Sequence, residues 1–326
     1  AFIRTLSSFV SAHPQIQWIQ GGDWDHESWG GTLPHRSWID SVTGNRPVFL
    51  SRYDGHMALA NTAALELAGI DRNTKDPEGG LIVRDSKGEP TGVLKDEALN
   101  LIYRVVPAPS AEELDTYFQR ASQYAVEHGI TAVDDVSAFG GWAELETYQR
   151  AHASQKMLCR IYSMVPLKDW KKLDSLVKAR GRGDAMLQWG GLKGFVDGSL
   201  GSTTAWFYDP YLDEPASRGL TITDTALLRE WVTGADKAGL QVTVHAIGDR
   251  ANHTILNIKD ARARNGGTDH RFRVEHAQHL SASAIKAFAE QKVVPSMQPY
   301  HAFDDGNFAF KRLDSARLSR TYAFRS

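Results

Sequence analysis

Residues 111–136, AEELDTYFQRASQYAVEHGITAVDDV, decide the fold. Ser110 stands where a helix N-cap belongs, and Gly129 stands where a helix end relaxes into the left-handed conformation. The helix then runs straight into the short apolar strand ITAVDDV. The same alternation repeats along the chain: helix 141–154 to strand 158–165, 167–180 to 190–197, 224–238 to 240–246, 250–264 to 271–276, and 281–290 to 292–297. Several helices end in glycine, at His128-Gly129, Ala238-Gly239 and Asn265-Gly266-Gly267. Strands alternating with helices at this spacing predict parallel β/α units.

Six such strands lie between Ile130 and Met297, whereas a closed parallel barrel needs eight. Residues 307–325 read as one more helix with no strand after it, and the helix at 1–12 has no strand before it. The expected fold is α/β, a distorted TIM (β/α)8-type barrel incomplete at both ends. An open doubly wound sheet is the alternative, but no G-x-G-x-x-G loop supports it.

Residues 14–108 break the pattern. The strand-like pieces IQWIQGG, RPVFLSRY, GGLIVRD and PTGVLKD are separated by Gly, Pro and Asp clusters, with one helix at roughly 57–68. The organisation expected is therefore a first barrel helix at 1–13, an α+β insertion at 14–108 lying over the active face, and barrel strands two to seven with their helices at 109–326. Trp24, Trp29 and Trp38 are expected to pack within the insertion.

Composition excludes several classes. With 326 residues, 42% hydrophobic and a net charge of −2, the chain reads as an ordinary globular protein. No single-sign tract points to nucleic acid or a membrane surface, and no eighteen-residue apolar run predicts a membrane span. The opening AFIRTLSSFVSAHP lacks the apolar core of a signal peptide. Cys159 is the single cysteine, which rules out an intrachain disulfide, suits a reducing cytoplasm and reads as a buried core thiol.

Residues at the C-terminal ends of parallel barrel strands face one pocket. There the chain offers Lys193, Phe195 and Asp197 by period-two alternation, then His245, then Glu275-His276, then Gln298 and His301. Imidazoles at matched strand ends suit zinc and similar ions. A buried lysine is costly unless paired, neutralised or modified; its plain reading is a bond to a carboxylate such as Asp197. Asp197 also reads as a cap of the following loop, and Asp249 as a helix N-cap. His279 points elsewhere if its strand has ended. His13, His26, His35, His128, His152, His253 and His270 read as surface residues without partners. His56 reads either as a pocket residue or as a helix-start residue with a local hydrogen bond.

The stretches KGFVDGSLGS (193–202), HAIGD (245–249) and EHAQH (275–279) resemble the amidohydrolase superfamily. WIQGGDW, LPHRSWID, RPVFLSRYDGHMALANTAAL and GEPTGVLKD narrow the resemblance to the YtcJ-like branch, amidohydrolase family 3, which includes N-substituted formamide deformylase. The resemblance runs in order along essentially the whole chain. It implies a distorted TIM barrel with one or two divalent ions, usually zinc. It implies His245 and His276 as ligands and Lys193 as a lysine that can be carboxylated to bridge two ions. A metal-activated water would then attack a C–N bond of a small amide-type substrate. It implies substrate contacts from His56, Asp54 and Asp197, and from Gln298 and His301 either a substrate contact or support of neighbouring site residues. Two family features are missing from this sequence: a His-x-His pair on the first strand, and an aspartate on the eighth strand, so no catalytic acid–base residue is assigned. The β-sandwich that the family builds from both termini is missing too, and the chain reads as an internal fragment.

The expected function is thus a metal-dependent hydrolase of carbon–nitrogen bonds other than peptide bonds. The rival reading is a catalytically inactive barrel that serves as a scaffold or binding protein. A third, a lyase or isomerase using Lys193 as a Schiff base, leaves two strand-end histidines unexplained. Unpaired barrel edges favour association into homo-oligomers.

Overall fold

The computed structural model describes residues 1–136, 141–264 and 271–326, with residues 262–264 described by backbone alone. The expected Asn265-Gly266-Gly267 helix end and His270 lie outside the described residues. The chain divides into two compact units, one of Ala1–Pro107, Asp197–Ile222 and His301–Leu318, the other of Ala108–Val196, Thr223–Tyr300 and Ser319–Ser326.

The first unit begins with α1 (Phe2–Ala12), β1 (Ile19–Trp24), α2 (Ser37–Thr43), β2 (Val48–Arg52), β3 (Met57–Ala60), α3 (Thr62–Leu67), β4 (Gly80–Arg84), β5 (Pro90–Asp96) and α4 (Leu99–Tyr103). The strands form one sheet in the order β1-β2-β3-β5-β4, parallel only between β1 and β2. Both faces are buried. Phe49, Ala58, Ala60 and Leu94 pack with α3 and α4 residues on one side. Val48, Leu50, Met57, Leu59 and Val93 pack with Leu6, Val10 and Ile39 on the other. Trp29 contacts Phe2, Trp24 and Trp38 here, so the tryptophans are packing residues.

Burial on both faces explains why 57–68 reads as a helix in the sequence. A continuous apolar run has no period with which to declare a strand. Met57–Ala60 is in fact a strand paired on both sides, and the helix starts only after Asn61. Asn61 is fully buried; its side-chain oxygen accepts from Ala64 N at 3.0 Å and Val48 N at 2.9 Å, and its amide donates to Thr43 Oγ1 at 3.0 Å and Arg46 O at 2.9 Å.

The second unit is the predicted alternation: α5 (Ala111–Glu127), β6 (Ala132–Asp135), α6 (Trp142–Ala153), β7 (Arg160–Pro166), α7 (Trp170–Arg180), β8 (Leu187–Phe195), α8 (Thr225–Lys237), β9 (Gln241–Ala246), α9 (Asp249–Arg264), β10 (Arg273–His276), α10 (Ala282–Glu290) and β11 (Val294–Ser296). Ser110 and Glu113 form a reciprocal capping box on α5, and Gly129 and Gly239 have φ of +76° and +71° as helix terminators. Asp249 is the first residue of α9 rather than its cap. The six strands are parallel and lie in chain order.

This sheet is curled. Arg273 on β10 donates to Asp134 on β6 at 2.7 Å, although β9, β8 and β7 lie between them in the sheet. Strands spaced about 4.8 Å apart would hold these two roughly 19 Å from each other in a flat sheet, beyond the reach of one arginine and one aspartate. The described strands therefore make a parallel half-barrel within a mixed α/β fold rather than a closed barrel. The Arg273–Asp134 bond also identifies the concave face. Registered residues of parallel strands point the same way, so Lys193, Thr243 and Arg273 share it, and by alternation so do Phe195, His245 and Glu275.

The first unit is completed by residues 197–222 and by His301–Leu318, which holds α11 (Pro299–Asp305) from His301 onward, α12 (Ala309–Arg312) and α13 (Ser315–Leu318). The single helix expected over 307–325 is broken because Leu313 is extended, with φ −125° and ψ 139°, and Asp314 then starts a new turn by accepting from Arg317 N at 3.0 Å. Among the described residues no helix is long and apolar enough to cross a membrane.

Asn61→Ala removes four buried hydrogen bonds at the junction of α2, β2 and α3. The expected loss of stability is about 2–4 kcal/mol, read as a lower urea midpoint at unchanged slope.

Candidate functional site

The ends of β8, β9 and β10 gather three of the predicted residues. Lys193 is buried on the concave face, with Nζ 4.8 Å from the centre of the Phe195 ring. The Phe195 ring lies 5.3 Å from the His245 ring, and the His245 ring 4.6 Å from that of His276, at 67°. β8 places Lys193 inward because of a one-residue bulge: Ser163 and Met164 pair with Trp189 and Gly191, leaving out Gly190 at φ +133°. His276 closes β10 at φ +70°, followed by Ala277 at +42°. His276 Nδ1 lies 2.8 Å from Gln298 Oε1, and Gln298 Nε2 donates to Ser296 O at 3.1 Å.

The charges on this face are unequal. Glu275 is buried and hydrogen-bonded by Arg273, which also holds Asp134. Among the described residues no carboxylate lies within ion-pair distance of Lys193. Burial lowers the Lys193 pKa from its ordinary 10.5 to about 8, against the pull of Glu275 and with the push of Arg273. Arg273 is legible after the fact, since it stands two residues before Glu275 on one face of a strand, but strand-end reasoning passes over it.

Two imidazoles on one zinc, with Zn–N near 2.0–2.1 Å, set their ring centres roughly 5 Å apart, so the His245–His276 pair has the right spacing. Among the described residues no three His, Cys, Asp or Glu side chains gather closely enough to hold an ion. A third donor would have to come from Lys193, whose amine becomes an oxygen donor on carboxylation. The donor set fits a divalent ion on those terms.

Four other predicted residues, Asp54, His56, Asp197 and His301, belong to the first unit. β8 stops at Phe195, so strand alternation does not extend to Asp197. Asp197 belongs to the first unit, is fully buried, pairs with Thr221 and accepts from Trp206 N at 2.8 Å. Asp54 accepts from Arg52 at 2.6 Å, Ser199 Oγ at 2.5 Å and Ser202 Oγ at 3.0 Å. Burial alone would raise its pKa, yet Arg52, His56 and Ser199 hold it below the ordinary carboxylate range. His56 is not at a helix start; it is buried, and its Nδ1 lies 2.7 Å from Asp96 Oδ1. Burial favours its neutral form, but Asp96 outweighs burial and raises the pKa. Asp96 went unread because it looks like the end of an ordinary strand. His301 lies on α11 in the first unit.

The surface reading of His26 is overturned. It is 3% exposed beside Arg52, and burial followed by the Arg52 charge lowers its pKa to about 4. His152 has a partner, Asp184, at 2.9 Å. His279 is buried and bonded to Thr321 Oγ1 at 2.8 Å. Cys159 is a buried free thiol, as expected.

The fold is similar to that of solved metal-dependent hydrolases. An uncharacterized metal-dependent hydrolase from Pyrococcus horikoshii OT3 matches with a TM-score of 0.72 and 26% identity, over 98% of this chain and 62% of that one. The Amidohydrolase family model matches residues 1–326, and the chain belongs to that family. It is 40% identical to Protein LONG AFTER FAR-RED 3 of Arabidopsis thaliana, over 100% of this chain and 58% of that protein. It is 33% identical to putative amidohydrolase YtcJ of Bacillus subtilis strain 168, over 96% of this chain and 59% of that one. It is 28% identical to N-substituted formamide deformylase of Arthrobacter pascens, over 81% and 50%. The chain thus spans between 50% and 59% of the length of these relatives.

Replacing Lys193 by Met should reveal the cost of burying its charge. The folded-state pKa, about 8, lies below the unfolded value of 10.5, so the unfolded chain binds more protons between those values and stability rises with pH there. Lys193→Met is expected to gain up to roughly 3 kcal/mol below pH 8, a gain that shrinks towards pH 10.5. Urea midpoints of both proteins at pH 7 and pH 10 check this.

Proposed function

We propose that this chain carries the metal-binding half-barrel of a hydrolase that cleaves carbon–nitrogen bonds other than peptide bonds, in amide- or formamide-like substrates. The observation that carries it is the meeting of His245 and His276 at adjacent strand ends, on the face where Lys193 is buried with no carboxylate at ion-pair distance among the described residues. The kinship with N-substituted formamide deformylase supports the substrate class. His245, His276 and a carboxylated Lys193 would hold one or two divalent ions, zinc being the ion that imidazole and carboxylate donors suit. When bound, such an ion supplies Lewis-acid polarisation of the carbonyl and activation of water.

The chain's own residues do the rest. The Phe195 ring packs against the Lys193 amine, 4.8 Å from Nζ to the ring centre. Arg273 occupies Glu275, which keeps that carboxylate from neutralising Lys193 by a direct ion pair. A lysine held near a pKa of 8 retains a neutral fraction able to react with carbon dioxide, whereas an exposed lysine is almost wholly protonated at neutral pH.

The chain, dialysed against zinc and then freed of loose metal, is expected to retain at least one ion per molecule by elemental analysis. His245→Ala is expected to abolish retention. A panel of N-substituted formamides and simple amides tests the chemistry. A wild-type chain that retains no zinc, manganese or iron and hydrolyses none of them would favour the inactive scaffold.

A further inference from the structure

The turn that closes β10 is unusual in a way the metal reading leaves unexplained. His276 and Ala277 are both left-handed, at φ +70° and +42°. Left-handed backbone costs a non-glycine residue on the order of 1 kcal/mol or more and survives where its surroundings impose it. Here the turn swings the His276 imidazole against His245. A second contact then fixes what that ring presents. Gln298 Nε2 donates to Ser296 O at 3.1 Å, so the amide's oxygen is the atom turned to the ring, 2.8 Å from Nδ1. An amide oxygen only accepts, so Nδ1 must carry the proton. A neutral imidazole protonated on Nδ1 keeps its lone pair on Nε2.

We propose that Gln298 is a positioning residue: it locks His276 as the Nδ1–H tautomer and orients Nε2 as the electron-pair donor of the site. This inference rests on the metal-binding reading above for its purpose, though not for its geometry. A carboxylate in the same place would also accept from Nδ1 but would add a negative charge, whereas glutamine sets the tautomer and leaves the charge unchanged. The resemblance left Gln298 a substrate contact or a supporting role, and the two hydrogen bonds support the second.

The test uses histidine labelled with nitrogen-15 in the metal-free chain, with His276→Gln to assign the signal. In wild type, His276 should show the Nδ1-protonated pattern in long-range proton–nitrogen correlation spectra. In Gln298→Met, of similar volume, it should move towards the Nε2–H form that free histidine prefers. Zinc affinity, measured by chelator competition, should fall 10–100-fold in Gln298→Met, and Gln298→Glu should recover most of it. An Nε2–H tautomer in wild type, or an unchanged tautomer and affinity in Gln298→Met, overturns the inference. A wild-type chain that binds no zinc but shows the tautomer shift upholds the assignment and overturns the metal reading. A chain that binds zinc without the shift does the reverse.

Discussion

Arg273 reaches across three intervening strands to Asp134, and the half-barrel cannot flatten while that bond stands. Curvature is what makes strand ends converge. In an open, flat sheet Lys193, His245 and His276 would stand in a row along an edge, each with its own solvent shell. On a concave face they share a small volume from which water is largely withdrawn, and the depressed Lys193 pKa follows from that withdrawal. The same arginine binds Glu275 with another nitrogen. One residue thus spans the curved face and engages the buried carboxylate whose charge acts on the lysine.

The first unit solves a different problem. Arg52 has a fully buried side chain and lies between Asp25 at 2.8 Å and Asp54 at 2.6 Å. Removing one partner from such a group leaves an uncompensated charge in the interior, which is far costlier than the pair is stabilising. Ser199 and Ser202 complete the coordination of Asp54, so the loop after β8 is tied to the turn after β2 by charge-assisted bonds. The motifs around Asp54 and Ser199 therefore serve first to hold backbone in place.

The parallel β/α order was legible because several helices carry their own start or stop signals: Ser110 with Glu113, Gly129, Gly239. All six strands of the half-barrel were readable for the same reason. Alternation up to a strand end announced Lys193 and His245, whereas His276, in register with Ala246, reaches His245 through its left-handed turn, which alternation does not foresee. Reading failed where local signals are silent. Met57–Ala60 is apolar on both faces and mimics a helix. Asp197 was assigned to a strand that stops two residues earlier. His26 looked like a surface residue, because nothing local shows that Arg52, twenty-six positions away, will be buried beside it. The His56–Asp96 and His276–Gln298 pairs are likewise products of tertiary proximity; the family resemblance pointed to His56 without Asp96, and to His276 and Gln298 without pairing them.

Gly190 has a consequence for how the chain tolerates change. It stands unpaired between two stretches of β8, so the inside–outside phase of Leu187–Trp189 is uncoupled from that of Gly191–Phe195. In a regular strand, one residue gained or lost anywhere upstream would turn every later side chain over and drive the lysine out towards Leu167 and the helical layer. With the bulge in place, a length change at the beginning of β8 can be absorbed at the slack position. The chemically important end is thereby insulated from drift at the other.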